Sequence, residues 1–294
     1  MSNMSSAKTM SFLVLLVLLL STIMVKAASF DIDSLLAAHA SEYAYDTTDR
    51  IGQVFKARDA GSHVIAELQL VQTIKHPAGA WCKTYVVKNR DTVIVSYRGS
   101  KTAIDWANNL NVDSEPAYLG PSSSHAGNVH EGFWDSYSST KSSMISYLSK
   151  LFGPNTRIIF TGHSQGGAVA MIAALDFAFH HPSMNQNVKL ITFGQPRTVK
   201  SDFLKTFNNY IKHYTRFVIL ASESIKDWIT GRVVITPAQD DIVTTVPPKI
   251  FGFQHAGHRI DLTCPVRGLV KCHDMTFYLS AFKTKLGVIS SLPQ

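Results

Sequence analysis

The chain has 294 residues, with 28 Lys and Arg against 21 Asp and Glu and a formal net charge of +7. The basic residues are scattered rather than grouped, which excludes the footprint of a nucleic-acid-binding protein. Its three cysteines, Cys82, Cys264 and Cys272, have no histidines at the spacing of a zinc site.

A polar start with Lys8 leads into the apolar stretch Met10–Val25 and then into Val25-Lys26-Ala27. That order reads as a signal peptide over residues 1–27, cleaved before Ala28, and it predicts a secreted, extracellular protein. Losing residues 1–27, with Lys8 and Lys26, would leave 267 residues and a net charge of +5. No later segment has about 18 uninterrupted apolar residues, so no transmembrane segment is predicted in the mature chain. No linker, low-complexity run or internal repeat interrupts residues 28–294, which are therefore predicted to form one domain. An odd cysteine count allows one disulfide, and Cys264 with Cys272, close in sequence across a short loop, is the expected pair. Cys82 lies among strand-like residues and reads as a buried thiol.

Asp31–Ala44 carries apolar residues at helical spacing and predicts an N-terminal helix. Trp81–Lys88 and Thr92–Tyr97 predict two strands about the tight turn Asn89-Arg90-Asp91. A helix over about Asp135–Phe152, the strand Arg157–Thr161 and a helix from Gly166 to about His180 follow. The strand Val188–Phe193, a helix near Asp202–Tyr214 and the strand Arg232–Thr236 complete the series. This alternation argues for an α/β fold whose central sheet is mostly parallel and covered by helices on both faces.

Gly162-His163-Ser164-Gln165-Gly166 matches Gly-x-Ser-x-Gly. Five residues alone are a weak signal. Here a strand precedes them and a small-residue helix follows, the context of a nucleophile elbow centred on Ser164. A serine hydroxyl needs a base, and the base an orienting carboxylate, in the chain order Ser, acid, His. The acid candidates are Asp202, Glu223, Asp227, Asp240, Asp241, Asp261 and Asp274. Asp240 and Asp241 are favoured because they follow the predicted strand Arg232–Thr236. For the base, His213, His255, His258 and His273 remain.

Six motifs in colinear order resemble the class 3 (fungal-type) triacylglycerol lipase family, of the α/β-hydrolase fold. They are Val95-Ser96-Tyr97-Arg98-Gly99-Ser100 with Asp105-Trp106; Val129-His130-Glu131-Gly132-Phe133 with Tyr137; Thr161–Gly167; Thr192–Arg197; Asp241-Ile242-Val243 with Val246-Pro247-Pro248; and Gly252-Phe253 with His255-Ala256-Gly257. The resemblance implies Asp241 as the acid, His273 as the base and Ser100 with Gln165 as the oxyanion hole. It implies a short lid over Lys101–Leu110, with Ile104, Trp106 and Leu110 as its apolar residues, and a packing role for His130. Gln165 stands where leucine is common in family elbows, and Val218–Gly231 is extra relative to the family. The implied activity is hydrolysis of carboxylic esters, acylglycerols above all, at a lipid–water interface. It needs neither metal nor organic cofactor. A phospholipase A1, a feruloyl-type esterase and, less in keeping with an intact triad, a non-catalytic lipid-binding protein are the alternatives.

Overall fold

The computed structural model describes residues 32–46, 50–76, 82–100, 111–220, 225–226, 233–234, 241–263 and 271–290. The N-terminal helix α1 (Ile32–Tyr43) leads into the strands β1 (Val54–Arg58), β2 (Val64–Lys75), β3 (Lys83–Asn89) and β4 (Thr92–Arg98). The hairpin β5 (Ser114–Leu119) and β6 (Ser124–His130) and the helices α2 (Glu131–Ser138) and α3 (Lys141–Leu148) come next. Strand β7 (Arg157–His163), helix α4 (Gln165–His180), strand β8 (Val188–Phe193), helix α5 (Ser201–Tyr210) and strand β9 (His213–Leu220) then alternate. After β9 come the two-residue strands β10 (Ile225–Lys226) and β11 (Val233–Val234), strand β12 (His258–Thr263) and helix α6 (Met275–Ser290).

The central sheet has eight strands in the order β1-β2-β3-β4-β7-β8-β9-β12. Strands β1 to β4 pair antiparallel, and β4, β7, β8, β9 and β12 run parallel. The parallel strands are buried on both faces, which explains their nearly unbroken apolar sequences. Side chains alternate between two cores. Val93, Val95, Ile158, Phe160 and Leu190 pack on the α4 side, whereas Ile94, Ile159, Ile191 and Phe193 pack on the side of α1 and α6.

Helix α1 lies close to the sheet because Ala37, Ala38 and Ala40 present almost no side chain at the contact. Its buried Asp33 receives Arg157 at 2.5 Å and Lys189 at 2.6 Å, so the carboxylate is paired rather than stranded. Ser41 Oγ and Thr161 Oγ1, 3.0 Å apart, tie α1 to the strand that carries the elbow.

Two expected elements differ. The helix predicted over Asp135–Phe152 is broken into α2 and α3. Ser138, Ser139 and Thr140 each turn a hydroxyl back to a carbonyl one turn earlier, which competes with helix continuation. Of the predicted strand Arg232–Thr236, the described part Val233–Val234 is not in the central sheet. It pairs with Ile225–Lys226, and β9, with Phe217 and Ile219 in the core, lies between β8 and β12. Among the described residues, no helix is long and apolar enough to cross a membrane.

Candidate active site

Strand β7 delivers Ser164 to the start of α4 through a turn that few residues tolerate. Ser164 has φ 58° and ψ −134°, a conformation that costs on the order of 1–3 kcal/mol for a non-glycine residue. Its N–H bonds to the Phe193 carbonyl at 2.8 Å, and its carbonyl accepts from the Gly167 N–H at 3.0 Å, so both sides of the turn are held. A side chain on Gly166 would overlap the Tyr97 carbonyl, and one on Gly162 would overlap Gly166. The glycines of the motif are therefore contact requirements of the elbow.

The acid loop starts where β9 ends. The Asp241 N–H bonds to the Ile219 carbonyl at 3.1 Å, and its carboxylate lies against Gly194, just beyond β8. Asp241 is completely buried, and three donors reach it. His273 Nδ1 lies 2.7 Å from Oδ2, the Tyr278 hydroxyl 2.6 Å from Oδ2, and the Val243 N–H 3.0 Å from Oδ1. The carboxylate accepts from Nδ1, so the proton sits there and Nε2 keeps its lone pair. His273 Nε2 and Ser164 Oγ are both buried and neither has a hydrogen-bond partner. They do not bond one another, as is common in hydrolases without substrate.

Two residues absent from the sequence reading complete the arrangement. Tyr278 donates to Asp241 and accepts from the Ile219 N–H at 3.0 Å. Burial, reinforced by the Asp241 charge, holds its hydroxyl well above the usual range, so it remains a donor. Tyr45, after α1, contacts His163, whose pKa is pushed well below the usual value by burial and then by His273. The neutral His163 donates from Nε2 to the His273 carbonyl at 2.6 Å and accepts the Tyr45 hydroxyl at Nδ1, 2.8 Å away. Tyr45 and His163 thus fix the backbone of His273. Local spacing does not single out Tyr278, five residues beyond His273, because it meets Asp241 only through the fold.

The other candidates serve elsewhere. His255 donates to the Thr244 carbonyl at 2.9 Å and is held neutral by burial, its pKa pushed down to about 3. His213 and His258 are exposed on the sheet. Asp202, in the first turn of α5, accepts from Asn128 Nδ2 on β6 and from the Phe203 N–H; Asp261 pairs with Arg259, and Asp274 caps the turn into α6. His130 accepts from the Gly132 N–H and packs its ring, tilted, against Phe133 and Phe253, in keeping with a packing role. Glu223, Asp227, Asp240 and the expected lid residues Ile104, Trp106 and Leu110 lie outside the described residues.

Of the two residues expected to form the oxyanion hole, Gln165 opens α4, where the first N–H groups of a helix have no intrahelical partner. Ser100 follows Gly99, and a Cβ on Gly99 would stand 3.1 Å from Ser164 Cβ, so the turn after β4 abuts Ser164. Cys272 is disulfide-bonded and Cys82 is a free, buried thiol; Cys264 lies outside the described residues.

A parallel sheet with a strained serine elbow, an acid after a later strand and a histidine beyond it is the α/β-hydrolase arrangement. The family model for lipase (class 3) matches residues 94–251, and the chain belongs to that family. The chain is 30% identical to a Rhizomucor miehei lipase over 175 residues, 58% of this chain and 42% of that one. It is also 30% identical to secreted mono- and diacylglycerol lipase 1 of Fusarium solani over 174 residues, 56% of this chain and 42% of that one. A rice protein, phospholipase A1-II 1, is 28% identical over 140 residues, 42% of this chain and 36% of that one. The matches thus span less than half the length of these relatives. The native Rhizomucor miehei lipase propeptide complex shares the fold, with a TM-score of 0.60 and 24% identity over 79% of this chain and 68% of that one.

Proposed function

We propose that this protein is a secreted carboxylic ester hydrolase that works through an acyl-enzyme on Ser164, with acylglycerols as its main substrates. The observation that carries the reading is the buried 2.7 Å pair of His273 and Asp241 beside a serine held at positive φ. Ser164 Oγ attacks the ester carbonyl carbon while its proton passes to His273 Nε2. Asp241 holds the ring in the required tautomer and stabilises the imidazolium. The backbone N–H groups of Ser100 and Gln165 receive the oxyanion, a contribution of about 10²–10³ in turnover per donor. The imidazolium then protonates the departing alcohol, and water repeats the sequence in reverse to release the acid.

The lipid-surface reading is supported by what surrounds the acid loop. Within ten residues of Asp241, Ile242, Ile250 and Phe251 are 38%, 86% and 45% exposed, where single large apolar side chains would ordinarily be covered. The segment Lys101–Leu110 is the proposed lid. Similarity to a phospholipase A1 favours a second reading, attack on a phospholipid acyl ester by the same triad. Purified protein assayed on p-nitrophenyl butyrate, emulsified triolein and phosphatidylcholine separates the two. Triolein hydrolysis that vanishes in Ser164→Ala supports the lipase; preference for phosphatidylcholine supports the phospholipase. No hydrolysis of any of the three sinks both.

A further inference from the structure

Gln165 is completely buried, yet neither Nε2 nor Oε1 of its carboxamide has a hydrogen-bond partner. A buried amide left unpaired is costly, and buried side-chain polar atoms in folded proteins are nearly always satisfied. The neighbouring orphans are informative. Ser164 Oγ and His273 Nε2 are also buried and unpartnered, and in the proposed reaction the substrate is what engages them. Gln165 follows Ser164 directly at the start of α4, one residue from the attacking hydroxyl.

We infer that the Gln165 carboxamide is a specificity determinant that hydrogen-bonds a hydroxyl group carried by the substrate next to the scissile ester. This rests on the ester-hydrolase reading and names the substrate class within it. An amide offers an N–H donor and a carbonyl acceptor, and a hydroxyl can meet either with its oxygen lone pairs or its proton. A purely hydrocarbon substrate would leave both atoms stranded in a closed site. The hydroxyl can belong to the alcohol part, as in a partial acylglycerol, or to the acyl chain. A leucine at this position would line the same space without reading polarity.

The test compares kcat/KM for matched esters. 2-Hydroxyethyl butyrate against propyl butyrate places the hydroxyl on the alcohol side. Propyl 3-hydroxybutyrate against propyl 3-methylbutyrate places it on the acyl side. The wild type should favour the hydroxyl-bearing member of one pair by about tenfold, the scale of one buried hydrogen bond denied to the competitor. Gln165→Leu should bring that ratio to about one; a ratio taken within each variant cancels any general change in rate. Gln165→Leu should also raise Tm, because an unpaired amide is replaced by an apolar side chain. Ratios near one in the wild type, a ratio unchanged in Gln165→Leu, or a lowered Tm would each overturn the inference. Failure to cleave any of the four esters would overturn the hydrolase reading and this inference with it.

Discussion

Tyr278→Phe removes a single oxygen, and the structure states what that oxygen does. It donates to Asp241 Oδ2 at 2.6 Å and accepts the Ile219 N–H at 3.0 Å, all in a fully buried setting. A hydrogen bond to a charged acceptor contributes about 1.5–3 kcal/mol, and an orphaned buried N–H costs about 1–3 kcal/mol. A net loss of about 3 kcal/mol is expected, and for a domain of this size that lowers Tm by roughly 6–12 °C. Activity should persist, because His273 and Val243 still hold Asp241, with kcat/KM reduced about tenfold as the carboxylate gains freedom. The specific signature is a loss of rate measured well below the lowered Tm, where the fold is intact and only the hold on Asp241 has changed. A variant with lowered Tm and undiminished kcat/KM for p-nitrophenyl butyrate would show that Tyr278 only supports the fold. One with both unchanged would refute the contacts themselves.

Other outcomes follow from the same geometry. Asp241→Asn should lower kcat by about 10⁴, the effect of losing tautomer control, while Asp240→Asn should change it little; the reverse order would move the acid to Asp240. Gly194→Ala places a Cβ 2.7 Å from Asp241 Oδ2 at a φ of +58°, so both kcat and Tm should fall, and a fully active variant would show that the acid loop yields. His163 and His255 are held neutral by burial, with pKa values well below the usual one and about 3, respectively. Above about pH 6.5 they cost nothing. As pH falls below that value the unfolded chain takes up protons that the folded one refuses, so stability declines by about 1.4 kcal/mol per unit for each histidine. Urea midpoints at pH 7.5 and pH 5 should differ accordingly, and equal midpoints would contradict the buried neutral assignment.

The sequence carried the elbow and the parallel strands clearly because both depend on local pattern. Gly162, Ser164 and Gly166 stand between an apolar strand and a small-residue helix, and β7 and β8 are apolar on both faces. The strands β1 and β2 were not legible, since much of Val64–Lys75 is only half-buried and its polar side chains mask the alternation. The strand before the acid was misassigned for a tertiary reason. The β-branched run Arg232–Thr236 looks more like a core strand than Thr215-Arg216-Phe217 does, but pairing with β8 and β12 selects His213–Leu220. Asp241 and His273 needed the family resemblance, because 32 residues separate two side chains that meet at 2.7 Å. Tyr45 and Tyr278 gave no signal at all, their roles being set by contacts that only the folded chain creates.

The central claim is that Ser164 is a nucleophile activated by the His273–Asp241 pair. Incubation with diethyl p-nitrophenyl phosphate, followed by mass spectrometry of the intact chain and its peptides, tests it directly. Attack by Ser164 Oγ expels p-nitrophenolate and leaves a diethylphosphoryl group on the serine. The account predicts one adduct per chain on the peptide containing Ser164, none in Ser164→Ala, and labelling slowed by orders of magnitude in His273→Gln. Labelling at another residue, or unaltered labelling in His273→Gln, would contradict it.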